Sequence, residues 1–123
     1  MDLTRLTNSA MLQAIAGHDG RIKTHAGDSS TNLSKMPDGY FDMIYIDGDH
    51  TYDGVMRDIR AAVPKLKPEG VMVFNDYTVW SATSMFHCGV ARAVHEFCLD
   101  NPWKFRYIAL QSMMYNDVML VRA

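Results

Sequence analysis

In the run Phe41-Asp42-Met43-Ile44-Tyr45-Ile46-Asp47-Gly48-Asp49-His50, an apolar segment stops abruptly in two carboxylates and an imidazole. Ile44, Tyr45 and Ile46 favour an extended, buried strand. The polar cluster then stands at that strand's carboxyl end, where open α/β sheets bind ligands. Carboxylates there suit a hard divalent cation, and a neutral imidazole can accept a proton near pH 7. A second run repeats the pattern, Val71-Met72-Val73-Phe74 ending in Asn75-Asp76.

A helix must bring the two ends together. Val55, Ile59, Ala62, Val63 and Leu66 recur at helical spacing, and Lys67-Pro68-Glu69-Gly70 stops them because proline and glycine do not continue a helix. Strand, helix, strand with short connections predicts a right-handed parallel crossover, which puts both polar ends on one sheet edge. Neighbouring strands lie about 4.8 Å apart. Asp47 and Asp76 are therefore predicted to share a divalent cation, with Asn75 or Asp49 as a third oxygen; the alternative for Asp47 is a cap on the following helix or turn. His50 is the candidate general base, and its alternative is a polar surface residue opening a helix.

The remaining elements frame that edge. Leu3, Leu6, Ala10, Met11, Ala14 and Ile15 predict an amphipathic helix ended by Gly17-His18-Asp19-Gly20. Residues 21–25 read as a short strand, and Gly27-Asp28-Ser29-Ser30 as a polar turn. Over residues 77–89 periodicity disappears, and Trp80, Met85, Phe86 and His87 populate a loop placed to act as a substrate lid. Tyr77, Thr78 and Trp80 either shape an acceptor pocket or cover the core. Val90, Ala91, Val94, Phe97 and Cys98 predict another helix ending near Asn101-Pro102, followed by closing strands over 104–110 and 117–121. Asp53, Arg57 and Asp58 read as a solvated helix face.

Composition bounds the function. The 123 residues, 48% apolar, suit one domain over 1–123 with a real core. A net charge of -2 without a basic block argues against nucleic acid as a partner. No apolar run is long enough to span a membrane and no signal peptide is visible, so the expected location is cytoplasmic. Cys88 and Cys98 have no metal-site spacing and read as buried thiols.

Gly27-Asp28-Ser29-Ser30, then Phe41-Asp42 through Asp47-Gly48-Asp49-His50-Thr51-Tyr52, Leu66-Lys67-Pro68-Glu69-Gly70-Val71 and Asn75-Asp76-Tyr77 follow one another in a fairly specific order. Together they resemble class I S-adenosylmethionine-dependent methyltransferases, in particular the sugar and antibiotic O-methyltransferase-like group. The resemblance implies an α/β fold with a Rossmann-like methyltransferase sheet, mostly parallel with a C-terminal antiparallel hairpin, of about five strands and three helices. It also implies N-terminal truncation, because the family's glycine-rich cofactor loop is not found in the chain. By the same resemblance S-adenosylmethionine is the cofactor, Asp28 and Ser29 sit at its adenine, and Mg2+ or another divalent cation falls on Asp47, Asp76 and Asn75. His50 and Asp47 are the implied catalytic residues, for O-methyl transfer to a hydroxyl of a small, sugar-like acceptor.

The missing glycine loop keeps a second reading open, a non-catalytic fragment or interaction module of that fold. A metal-dependent phosphoesterase ranks last, because the other metal-binding histidine segments it needs are absent. Lost strands leave open hydrogen-bonding edges. Either the 21–25 strand pairs with the Ile44 strand, or a second copy covers the edge as a homodimer.

Overall fold

Four strands share one hydrophobic face, and the pairing of the first two decides where the polar clusters meet. In the computed structural model, which describes residues 20–123, these are β1 (Phe41–Ile46), β2 (Leu66–Tyr77), β5 (Trp103–Ala109) and β6 (Asn116–Arg122), in the order β1-β2-β6-β5. β1 and β2 run parallel, Ile44 opposite Met72 and Ile46 opposite Phe74. β6 runs antiparallel to both β2 and β5, giving the predicted C-terminal hairpin. A two-residue hairpin, β3 (Trp80–Ser81) with β4 (Phe86–His87), lies in the segment predicted to be a loop.

Three helices complete the described chain: α1 (Ser29–Ser34), α2 (Tyr52–Ala62) and α3 (Val90–Asp100). Successive strand residues point to opposite faces, so Ile44, Ile46, Met72, Phe74, Val118 and Leu120 all enter one core. There they meet Val55, Ile59 and Ala62 of α2 and Ala93, Val94 and Phe97 of α3. The other sheet face carries Met43, Tyr45 and Tyr107, all largely exposed.

Several expectations require correction. The predicted helix through Leu3 and Ile15 lies outside the described residues. Residues 21–25 form no strand and do not pair with β1, so the first of the two predicted ways of closing that edge is not realised. The polar turn at Asp28 is instead the start of α1: the Asp28 carboxylate accepts a hydrogen bond from the Thr31 backbone nitrogen at 2.8 Å. Such a cap satisfies an amide that the first helical turn leaves unpaired.

α2 also ends earlier than its apolar stripe suggests. Val63–Lys65 tighten into a 3-10 turn containing Pro64, and Leu66 already belongs to β2, opposite Phe41. The next paired residues are Met43 and Val71, so Pro68 and Gly70 are accommodated in a bulge of β2 rather than in a helix terminator. The Arg122 guanidinium donates to the carbonyls of Lys67 (2.6 Å), Pro68 (2.9 Å) and Val63 (3.3 Å) and stacks over Trp103, satisfying oxygens the bulge frees. Asp58 is not part of a solvated face: it is 4% exposed and accepts a hydrogen bond from the Ser29 hydroxyl at 2.7 Å, joining α1 to α2.

Candidate active site

The parallel pairing of β1 and β2 brings Asp47, His50 and Asp76 to one edge. His50 Nε2 lies 3.6 Å from Asp47 Oδ1 and 3.5 Å from Asp76 Oδ2. The nitrogen itself is buried, and it has no hydrogen-bond partner. An imidazole nitrogen thus stands between two carboxylates without closing on either, in a residue that also lines a cavity.

The backbone holds each of these groups for a local reason. Thr51 caps α2 by accepting from the Gly54 amide at 3.1 Å, and Asp49 accepts from the Thr51 amide at 2.9 Å. These two residues, rather than Asp47, organise the helix start, which leaves the Asp47 carboxylate for His50. Asp76 follows a register shift between β2 and β6, with Phe74 opposite Val118 but Tyr77 opposite Asn116. Its φ of 53° lies in the left-handed region, one that aspartate tolerates better than most side chains. A bulge at this point re-aims a side chain. Asp76 turns toward His50, while the Asn75 amide donates to the Tyr45 hydroxyl (3.1 Å) and to Asp117 (3.0 Å).

Electrostatics follows the burial. The Asp76 carboxyl is pushed above its ordinary value, chiefly by loss of water, with His50 opposing the shift. Asp28, whose side chain is about half exposed, is lowered to about 2 by hydrogen bonds from the Ser30 hydroxyl and from Thr31.

Beside His50 and Asp76 opens a cavity of about 300 Å³, walled by Thr78, Ser81, Thr83, Ser84, Phe86, Cys88 and Tyr115. Asp47 borders a smaller crevice of about 170 Å³ with Ser29, Leu33, Ile44, Gly48 and Asp58.

Not every predicted site residue joins this arrangement. Among the described residues no group of three or more His, Cys, Asp or Glu is placed to hold a metal ion. Of the residues predicted to hold a cation, Asp47 and Asp76 flank His50, and the Asn75 amide is bonded to Tyr45 and Asp117. Ser29 lines the smaller crevice, whereas the Asp28 carboxylate is taken up by capping α1. Trp80 and His87 pack ring to ring across the β3–β4 hairpin, 5.0 Å between centroids. The cavity residues that the sequence pattern does not single out are Ser81, Thr83, Ser84, Cys88 and Tyr115. Topology could have found Tyr115: β6 runs antiparallel to β2, so the turn before β6 returns to the edge where β2 ends.

Comparison with known proteins agrees with the fold and places the chain in a family. Residues 2–77 match the family described as methyltransferase domain, and the chain belongs to that family. A Corynebacterium glutamicum protein of known structure is similar over 94% of this chain, with a TM-score of 0.65 at 12% identity. A Thermus thermophilus protein described as a candidate DNA modification methylase is similar over 80% of this chain, with a TM-score of 0.56 at 13% identity. The chain covers 54% and 52% of those two structures, about half of each. No curated protein matches it by sequence.

Proposed function

We propose that this chain carries the acceptor side of an S-adenosylmethionine-dependent O-methyltransferase acting on a hydroxyl of a small, sugar-like acceptor. The observation that carries the reading is His50 Nε2, unpartnered between Asp47 and Asp76 beside a hydroxyl-walled cavity, in a chain of the methyltransferase domain family. The cofactor would supply an electrophilic methyl group. The Asp47 crevice, at about 170 Å³, is below the roughly 300–1,000 Å³ of a whole ligand site. Its Ser29 and Gly48 would therefore bound only one part of the cofactor.

The chain's own residues account for the acceptor side. Thr78, Ser81, Thr83 and Ser84 line the cavity with hydroxyl oxygens, and a hydroxyl already bonded within the chain keeps a lone pair that can accept from a polyhydroxylated molecule. An acceptor hydroxyl directed at His50 passes its proton to Nε2, and the imidazolium so formed lies between two carboxylates. Holding the acceptor oxygen against His50 would orient it for attack, and such positioning supplies a large part of the rate.

Transfer of a labelled methyl group from S-adenosylmethionine to a panel of simple glycosides tests this. The wild-type chain is expected to label a glycoside, and His50→Ala to lower the rate by about 10²–10⁴. Absence of both transfer and calorimetric heat on titration with S-adenosylmethionine would remove the proposal.

A further inference from the structure

One phenol oxygen joins two separate turns over the cavity. Tyr115 Oη lies 2.9 Å from the Thr83 backbone nitrogen, 2.7 Å from the Thr83 hydroxyl and 3.1 Å from the Ser81 hydroxyl. A phenol offers one proton and two lone pairs. It can therefore accept from the Thr83 N–H and from one hydroxyl while donating to the other, and all three positions are used. The Ser84 amide adds a bond to the Ser81 hydroxyl at 3.3 Å. The β3–β4 hairpin itself has two paired residues on each strand, closed at its base by the Cys88 amide donating to the Val79 carbonyl at 3.0 Å and by the Trp80–His87 ring contact, and a hairpin of that size is marginal by itself.

The backbone that presents Tyr115 is held in an unfavourable shape. Met113 and Met114 both have left-handed conformations, with φ of 58° and 64°, and both side chains are largely exposed. A non-glycine residue in that region costs on the order of 1–3 kcal/mol and persists only where its surroundings demand it. Neither methionine gains buried contact in exchange. What the strained turn delivers is the Tyr115 hydroxyl at the hairpin.

We infer that Tyr115 is a positioning residue, a pin that holds the β3–β4 hairpin as the roof of the cavity beside His50 and sets the access of the acceptor. The consequence for acceptor binding rests on the methyltransferase reading; the pin itself does not, and it can be tested without turnover. The chain contains two cysteines. Cys88 lies in the cavity wall, 7% exposed, and Cys98 lies half-buried on α3, away from the hairpin. Burial raises both thiols above their ordinary values, so neither is activated and access governs their reaction rates.

The experiment is alkylation of the intact chain with iodoacetamide, followed at each cysteine by peptide mass spectrometry. Tyr115→Phe is expected to speed alkylation of Cys88 by about tenfold, the loss of one or two net hydrogen bonds, while the Cys98 rate stays unchanged. Thr83→Val, which keeps the backbone donor, is expected to give a smaller increase at Cys88. Combined with Tyr115→Phe it should add little, because both changes cut the same connection. Equal acceleration at Cys88 and Cys98 would make Tyr115 a general stability residue and overturn the pin. An unchanged Cys88 rate in Tyr115→Phe would overturn it as well. Either result leaves the methyl-transfer assay to stand or fall separately.

Discussion

Asp76 combines three features that stability alone would not select: a left-handed backbone, a partly buried carboxylate and an imidazole that fails to close on it. Its raised pKa fixes the sign of a pH effect. The folded chain binds this proton more tightly than the unfolded chain, so the stabilisation is fully present below the ordinary value of 3.8 and is lost as pH rises through the folded value. Asp76→Asn removes the charge and suits the left-handed backbone. It is expected to stabilise the chain at pH 7 by less than about 1 kcal/mol, with the gain shrinking in acid, while lowering methyl transfer. Urea melts at pH 7 and at about pH 3.5, on the acid side of the ordinary carboxylate range, beside the methyl-transfer assay check this, and a variant that loses stability at pH 7 contradicts it. Asp28 has the opposite sign. Its pKa of about 2 gives stabilisation present above 3.8 and lost as pH falls toward 2. Asp28→Ala should lower the melting temperature by a few degrees at pH 7 and flatten the acid limb of the stability curve.

At the scale of elements, the site depends on how closely α2 and α3 begin. The Gly89 amide donates to the His50 carbonyl at 2.7 Å, and a β-carbon at Gly89 would collide with the backbone nitrogen and Cα of Tyr52. The glycine is required here by close approach, since its φ of -87° is open to any residue. Gly89→Ala is therefore expected to cost about 1–3 kcal/mol and to displace His50. Urea denaturation reads the first effect and the methyl-transfer rate of the folded variant the second; a variant with wild-type values in both would show that the contact relaxes freely. This contact also explains what could be read from the sequence. Local periodicity and turn chemistry locate β1, β2, α2, α3 and the closing hairpin, and the parallel crossover brings Asp47, His50 and Asp76 together. The bulge at Asn75-Asp76 sends one neighbour to each face of the sheet, and no period-two pattern announces it. Tyr115, Ser81 and Gly89 likewise act through tertiary contacts between segments whose local residue patterns carry no signal of them.

At the scale of the molecule, the described sheet has one face packed by α2 and α3, while its outer edge at β1 pairs with no described strand. Met43 and Tyr45 are exposed there at 54% and 46%. Unpaired backbone donors and acceptors beside apolar side chains form a template for another strand. Residues 21–25 do not fill the position, and we propose that a second copy does. Two identical edges can pair antiparallel about a two-fold axis, each residue meeting its counterpart in an isologous contact. Light scattering coupled to size exclusion at tens of micromolar chain is expected to give twice the mass of one chain. A lysine on an edge strand opposes such pairing, so Met43→Lys is expected to return the mass to that of one chain with little change in the urea midpoint. His50 and the Tyr115 pin lie at the carboxyl ends of the strands and at the β5–β6 turn, so the variant should keep the Cys88 alkylation rate of the wild type. A wild-type chain that runs as a monomer at these concentrations would leave the edge to other residues of the same chain and withdraw the dimer.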